Sequence, residues 1–226
     1  MKQENKSYGF ETAQLVDHLC QKGISKKLVV MRHSARHYDL DNPLREPFLG
    51  LTTEGKALSY RWGKELPRGL HLHFFSSFIS RCIETAYLID KGYVASGGTT
   101  EHTSIENSLG PYYVRDAAKL LGNYLRASNF FANWFGGHIP EKIIDHPRRI
   151  AQRMRNFCKE RLSLPDEGTM NICITHDWNL YVLIEAFFGL SPEAYGKVKY
   201  LDGIVVFKDR DRSYIEAPGQ LPVELS

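Results

Sequence analysis

The chain lacks any apolar run long enough to cross a bilayer. Stretches such as Leu28 to Met31 and Met170 to Ile174 fall far short of the roughly 20 residues that a spanning helix needs, so no membrane segment is expected. Cysteine is sparse and scattered. Cys20, Cys82, Cys158 and Cys173 include no pair at zinc-ligand or redox-motif spacing, and a chain of 226 residues does not need disulfide staples, so reduced thiols are expected. A strong charge of either sign is also missing: 29 Lys and Arg stand against 26 Asp and Glu, a formal +3, which is too mild for a nucleic-acid binder. The stretch from Met1 to Tyr8 is polar and mixed in charge, without the apolar core and small-residue cleavage site of a signal peptide, which predicts a cytoplasmic protein. Internal repeats and low-complexity segments are absent from the sequence.

What the chain does hold is enough apolar material, 42% of residues, for one sizeable core, and the simplest organisation is a single domain over 1–226. Leu15, Val16 and Leu19 recur at helical spacing between Phe10 and Gln21, with Gly23 where such a helix would stop. Lys27 to Met31 is a short β-branched apolar run, the pattern of a strand covered on both faces in a parallel sheet. After Pro43, Pro47 and Gly50, Thr52 or Thr53 is placed to cap a helix carrying Leu58, Trp62 and Leu66 on one face. His71 to Ser77 reads as a strand and about Ser80 to Lys91 as a helix. Met170 to Thr175 reads as another buried strand, Asp177 to Phe188 as a helix ending at Gly189, and Gly203 to Phe207 as a last strand. Alternating strands and helices predict an α/β fold with a mainly parallel central sheet flanked by helices. The stretch of about 94–167 breaks this rhythm and is rich in aromatics from Tyr112 to Phe135, which predicts a helical, aromatic-rich cap insertion.

In an open parallel sheet, ligands bind beyond the carboxyl ends of the strands, so residues that follow different strands share one site. Here those residues are Arg32, His33 and Arg36 after the first strand, Arg81 after the second, and His176 with Asp177 after Met170 to Thr175. Three permanently charged guanidinium groups around one point repel each other unless an anion belongs there, and their planar forks match phosphate oxygens. A phosphoryl group is the economical occupant.

The run Val30-Met31-Arg32-His33-Ser34-Ala35-Arg36 resembles the Arg-His-Gly-x-Arg signature of the histidine phosphatase superfamily. Thr175-His176-Asp177 resembles the His-Asp motif of that superfamily's acid phosphatase and phytase branch. Leu51-Thr52-Thr53-Glu54-Gly55 through Tyr60, Gly63 and Leu66 is similar to that branch's Leu-Thr-x-x-Gly helix, and Ser76-Ser77 with Arg81 to the strand and arginine that follow. The resemblance covers about Leu28 to Ile89 and Asn171 to Gly189, in order, and implies a phosphoglycerate mutase-like fold. Two departures stand out. Ser34 occupies the usual glycine position, where it would crowd the phosphoryl group or donate a hydroxyl hydrogen bond to it, and His37 follows Arg36 in place of proline.

The resemblance implies a metal-independent phosphomonoester hydrolase with no cofactor. His33 would attack phosphorus and carry a phosphohistidine, while Arg32, Arg36, Arg81 and His176, with Ser34, would hold the phosphoryl oxygens. Asp177 would protonate the leaving oxygen and then activate water. The phosphoglycerate mutase branch takes its proton donor from the middle of the chain, where Glu106 and Asp116 are available. The expected partner is a phosphorylated small molecule or phosphoprotein. A catalytically weak relative that only binds a phospho-ligand is the rival reading, and a mutase-like phosphotransferase a third. Several features have ordinary structural explanations: His71 and His73 as strand residues without a third metal ligand, the basic stretch Arg148 to Arg161 as the solvated face of an amphipathic helix, and the aromatics as packing within the cap. Asp177 is equally suited to cap the helix it begins.

Overall fold

A computed structural model describes residues 8–39, 41–125, 129–164 and 168–225. Its centre is a single sheet. Strand β1 (Lys27–Arg32) lies between β5 (Thr169–Thr175) and β6 (Gly203–Asp209), and β2 (His71–Ser76) lies on the far side of β5. β1, β5 and β2 run parallel, and two short strands, β3 (Thr99–Thr100) and β4 (Ser104–Ile105), add in parallel to β2. β6 turns antiparallel to β1 and is followed by β7 (Arg212–Glu216) and β8 (Val223–Glu224), also antiparallel. The mainly parallel α/β sheet is the one expected. Its antiparallel margin is longer than the single last strand read from the sequence.

Alternation along the strands sends side chains into two cores. On β1, Leu28 and Val30 face one and Val29 and Met31 the other, and every residue of the strand is buried. The second core lies beneath α1 (Phe10–Gln21), α2 (Thr53–Glu65) and α3 (Ser80–Ala95), which supply Val16, Leu19, Trp62 and Ile89. α2 and α3 pack backbone to backbone. A Cβ on Gly63 would collide with the Ile89 carbonyl, and one on Gly92 with that of Tyr60, so glycine is what permits the approach. Thr52 caps α2 by accepting a hydrogen bond from the Gly55 amide.

The other core lies beneath α6 (Pro147–Ser163) and α7 (Asp177–Phe188), with the short α4 (Ala117–Asn123) and α5 (Phe130–Phe135) beside them. Part of the stretch read as a cap therefore belongs to the sheet layer: β3 and β4 extend its edge and α6 covers its face. The aromatics of α5 pack as the sequence suggested, with Phe130, Phe131 and Trp134 gathered around Trp178 at ring-centroid distances of 5.0, 6.2 and 5.5 Å. α7 ends at Gly189 in a left-handed conformation, and the short α8 (Pro192–Tyr195) follows. Among the described residues no helix is long and apolar enough to cross a membrane.

Candidate active site

Strand register brings the expected residues together. Arg32 pairs with Thr175, and Ser76 with Ile174, so β1, β5 and β2 end at one level. The His33 amide then donates to the Thr175 carbonyl at 2.9 Å and the Ser77 amide to the Ile174 carbonyl at 3.0 Å. His33, Ser77 and His176 thus leave adjacent strands side by side, and the His33 and His176 rings lie 5.5 Å apart.

Hydrogen bonds fix the state of His33. Its Nδ1 lies 2.8 Å from the Ser34 carbonyl, which only accepts, so Nδ1 carries the proton and Nε2 presents a lone pair. Arg81 Nε donates to that lone pair at 3.0 Å, and Arg81 Nη2 reaches His176 Nδ1 at 3.4 Å. Arg81 therefore lies between the two histidines. Burial holds the His33 pKa well below its usual value, helped by His176, Arg81 and Arg32, and burial with the three arginines does the same for His176. Both imidazoles are neutral at neutral pH. His176 Nε2 lies 3.0 Å from Ser77 Oγ, a partner that fixes the ring from behind.

Arg32 is buried, with both terminal nitrogens held. Nη1 donates to the Val198 carbonyl at 2.7 Å and Nη2 pairs with Asp177 Oδ2 at 2.8 Å, while Nε has no hydrogen-bond partner among the described residues. Asp177 is the first residue of α7, with its side chain 31% exposed. It serves as the counter-charge of Arg32. Arg36 stands further out, stacked 4.0 Å over the Tyr38 ring, and its charge reaches His176.

Ser34 does not do what was expected of it. Its hydroxyl donates to the Gly55 carbonyl at 2.8 Å, its amide donates to Thr85 Oγ1 at 3.1 Å, and the residue is fully buried. The hydroxyl is committed to the start of α2 and not to a phosphoryl oxygen. Nor does the position require glycine: among described non-glycine residues only Leu201 and Arg210 have positive φ. Gly55 is the tighter position, since a Cβ there would collide with the Ala35 carbonyl.

Of the two alternative carboxylates, Asp116 caps α4 and pairs with Lys119 at 2.8 Å, a surface role. Glu106 follows β4 directly. Its amide donates to the Ser76 carbonyl at 2.8 Å, and its Oε1 accepts from the Ser108 amide. The turn after it is pinned to the site, with Thr175 Oγ1 donating to the Leu109 carbonyl at 2.6 Å and Asn179 Nδ2 to the Ser108 carbonyl at 3.5 Å. Away from the site, His71 and His73 both reach Glu101, at 3.3 and 3.5 Å.

Neutral imidazoles ringed by arginines at the carboxyl edge of a parallel sheet make this an α/β protein with a cationic pocket suited to an anion. A sequence model of the histidine phosphatase superfamily (branch 1) matches residues 28–207, and the chain belongs to that family. No curated protein matches the chain. The fold is phosphoglycerate mutase-like. A phosphoglycerate mutase from Bacillus anthracis superposes with a TM-score of 0.51 at 16% identity, over 87% of this chain and 94% of that one. A putative α-ribazole-5′-P phosphatase from Escherichia coli gives 0.57 at 15% identity, over 87% and 98%. A mycobacterial glucosyl-3-phosphoglycerate phosphatase gives 0.54 at 14% identity, over 80% and 90%. The match is to branch 1, and the resemblance of Thr175-His176-Asp177 to the acid phosphatase and phytase branch finds no support in it. Family membership supports phosphoryl transfer or hydrolysis as the chemistry.

Proposed function

We propose that the protein is a phosphomonoester hydrolase that works through a phosphohistidine on His33. The observation that carries this reading is the pair of bonds on His33, Nδ1–H to the Ser34 carbonyl and Nε2 facing Arg81, which leave a neutral nucleophile aimed at the cationic pocket. In the first step Nε2 attacks phosphorus, the N–P bond forms and the ester P–O bond breaks. Arg81 Nε, released from the lone pair, turns to an equatorial oxygen together with Arg32, Arg36 and His176, where charge spreads in the transition state. A protonated carboxyl donates to the leaving oxygen and then, as carboxylate, takes a proton from the water that cleaves the N–P bond.

We assign that carboxyl to Glu106. Branch 1 membership favours a donor from the middle of the chain, and the turn after Glu106 is tied to Thr175 and Asn179. Asp177, the donor expected from the sequence, has both oxygens engaged, Oδ2 with Arg32 and Oδ1 with the Trp178 amide. It serves to orient Arg32. The reading as a binding-only relative rested on Ser34 and on the unfamiliar cap; the buried Ser34–Gly55 bond takes Ser34 out of that argument, and the cap leaves the rival to the assay that follows.

Incubation with an aryl phosphate, followed by an alkaline quench, tests the reading. The expected product is an acid-labile, base-stable phosphoenzyme on His33, with turnover abolished in His33→Ala. Phosphate binding without hydrolysis, or an acid-stable phosphoenzyme, would overturn it. Transfer to a sugar-acid acceptor in preference to water would make the protein a mutase.

A further inference from the structure

The chemistry above leaves two residues at the mouth of the site unused. Tyr38 lies just beyond Arg36, and Tyr200 lies in the segment before β6, yet their hydroxyls are 2.6 Å apart. Each ring is backed by one of the phosphoryl-binding arginines: Arg36 Cζ is 4.0 Å from the Tyr38 centroid and Arg32 Cζ is 4.5 Å from that of Tyr200. The Tyr200 ring also lies 6.0 Å from the His33 ring, and Tyr8 abuts it edge-on at 5.6 Å. Exposure rises outward through these layers. Arg32, His33 and His176 are buried, Tyr200 is half-buried and Tyr38 is 54% exposed. A phosphomonoester whose phosphoryl group rests on the inner layer can lay its alcohol outward against the tyrosines.

We propose that Tyr38 and Tyr200 form the leaving-group subsite and select a neutral, planar alcohol, an aryl or benzyl-type group. The proposal rests on the phosphatase reading above and adds the substrate class. What the subsite offers is ring surface and one hydroxyl hydrogen left over from the Tyr–Tyr bond, not an ion pair. Arg32, Arg36 and Arg81 disfavour an alcohol that carries an ammonium group. The carboxylates beside them are engaged, Asp177 with Arg32 and Asp39 with Arg45. Burial, with the Tyr38 contact, pushes the Tyr200 hydroxyl well above its ordinary ionisation range, so the wall stays neutral across the physiological range. A flat ring on such a wall gains both buried area and an aromatic contact, which a short alkyl chain does not.

The test compares benzyl phosphate with ethyl phosphate, whose alkoxide leaving groups are similar in basicity, so that the ring is the main difference. The wild-type kcat/KM should favour the benzyl ester about tenfold, the scale of one aromatic contact with its buried area. The benzyl-to-ethyl ratio should fall to about two- or threefold in Tyr38→Ala and in Tyr200→Ala, and stay near the wild-type value in Tyr38→Phe. Competition between benzylphosphonate and ethylphosphonate, which are not hydrolysed, measures the same preference as binding. Equal kcat/KM for the two esters, or a ratio untouched by both alanine variants, overturns the subsite and leaves the phosphatase reading intact. A tenfold phosphonate preference without turnover of either ester supports the subsite and overturns the phosphatase reading.

Discussion

Replacing Asp177 by asparagine separates two roles that the sequence could not. Asparagine is as good as aspartate at a helix start, so a residue that served only α7 would tolerate the change with little loss. The structure demands more of Asp177. Oδ1 accepts from the Trp178 amide at 3.0 Å while Oδ2 holds Arg32 Nη2, and asparagine has one acceptor oxygen for both tasks. Arg32 is buried, and its Nε already lacks a hydrogen-bond partner among the described residues, so it has little water with which to make good the loss. Breaking a fully buried ion pair costs about 3–5 kcal/mol, and a hydrogen bond to a charged group contributes about 1.5–3 kcal/mol. Because the Asp177 side chain is 31% exposed, solvent screening favours the lower end, about 1.5 kcal/mol. For a chain of this size that lowers Tm by about 3–6 °C. Saturating inorganic phosphate should then raise Tm more in Asp177→Asn than in the wild type, because the anion replaces the lost counter-charge. Kinetically, a residue that orients Arg32 should slow esters with good and poor leaving groups alike. Thermal unfolding with and without phosphate, alongside a leaving-group series, reads both effects. A variant that melts with the wild type and slows only esters with poor leaving groups would refute the reasoning and return the proton to Asp177.

Glu106→Gln should show the complementary pattern, a loss of about 10²–10⁴-fold on alkyl esters and far less on aryl esters whose phenolate departs unaided; equal losses on both would remove Glu106 as donor. Arg81→Ala should lower kcat by about 10²–10³-fold with a smaller change in KM, and an unchanged kcat in steady-state assays would exclude Arg81 from the transition state. His33 and His176 have folded pKa values below the unfolded 6.5, so their contribution to stability is complete above that pH and is lost as pH falls below it toward the folded values, by about 1.4 kcal/mol per histidine per pH unit. Denaturant unfolding at about pH 7.5 and 5.5 should therefore show a pH-dependent loss smaller by about 1.4 kcal/mol in His33→Gln than in the wild type, and identical losses would contradict a neutral buried His33.

The elements legible in the sequence were those whose pattern is set locally. β1 and β5 are covered on both faces, so their apolar runs needed no tertiary knowledge to be recognised, and Arg32, His33 and His176 follow from where those runs stop. β3, β4 and β8 are two residues long and gave no periodic signal, and β7 is a half-exposed strand of mixed polarity. The serine of the Arg-His-Ser-x-Arg run misled because its neighbour in space, Gly55, lies 21 positions away. Tyr38 and Tyr200 are separated by 162 positions, and nothing in either local sequence marks them as partners. Asp177 follows directly from the end of the β5 run, but its bond to Arg32 depends on β1 and β5 being adjacent.

The segment that carries Tyr200 also explains how a buried guanidinium is kept rigid. Arg32 and this segment exchange backbone bonds: the Arg32 amide donates to the Asp202 carbonyl at 2.8 Å, and the Leu201 amide to the Arg32 carbonyl at 3.2 Å. Between them Leu201, a buried non-glycine residue, holds φ at 62°, a conformation that costs about 1 kcal/mol or more and persists only where its surroundings enforce it. Those surroundings come from the opposite end of the chain. The Gly9 amide donates to Asp202 Oδ1 at 3.2 Å, Gly203 donates to Thr12 Oγ1 at 2.8 Å, and Trp62 Nε1 donates to the Gly9 carbonyl at 3.1 Å. The start of α1 is thereby a brace for the segment that grips Arg32. Charges developing on a transferring phosphoryl group are stabilised most by dipoles and cations that need not reorganise. Here the Val198 carbonyl and the backbone of Leu201 and Asp202 fix one side of Arg32, and Asp177 fixes the other. Both terminal nitrogens of that guanidinium are thus held by the protein, while its buried Nε has no hydrogen-bond partner among the described residues.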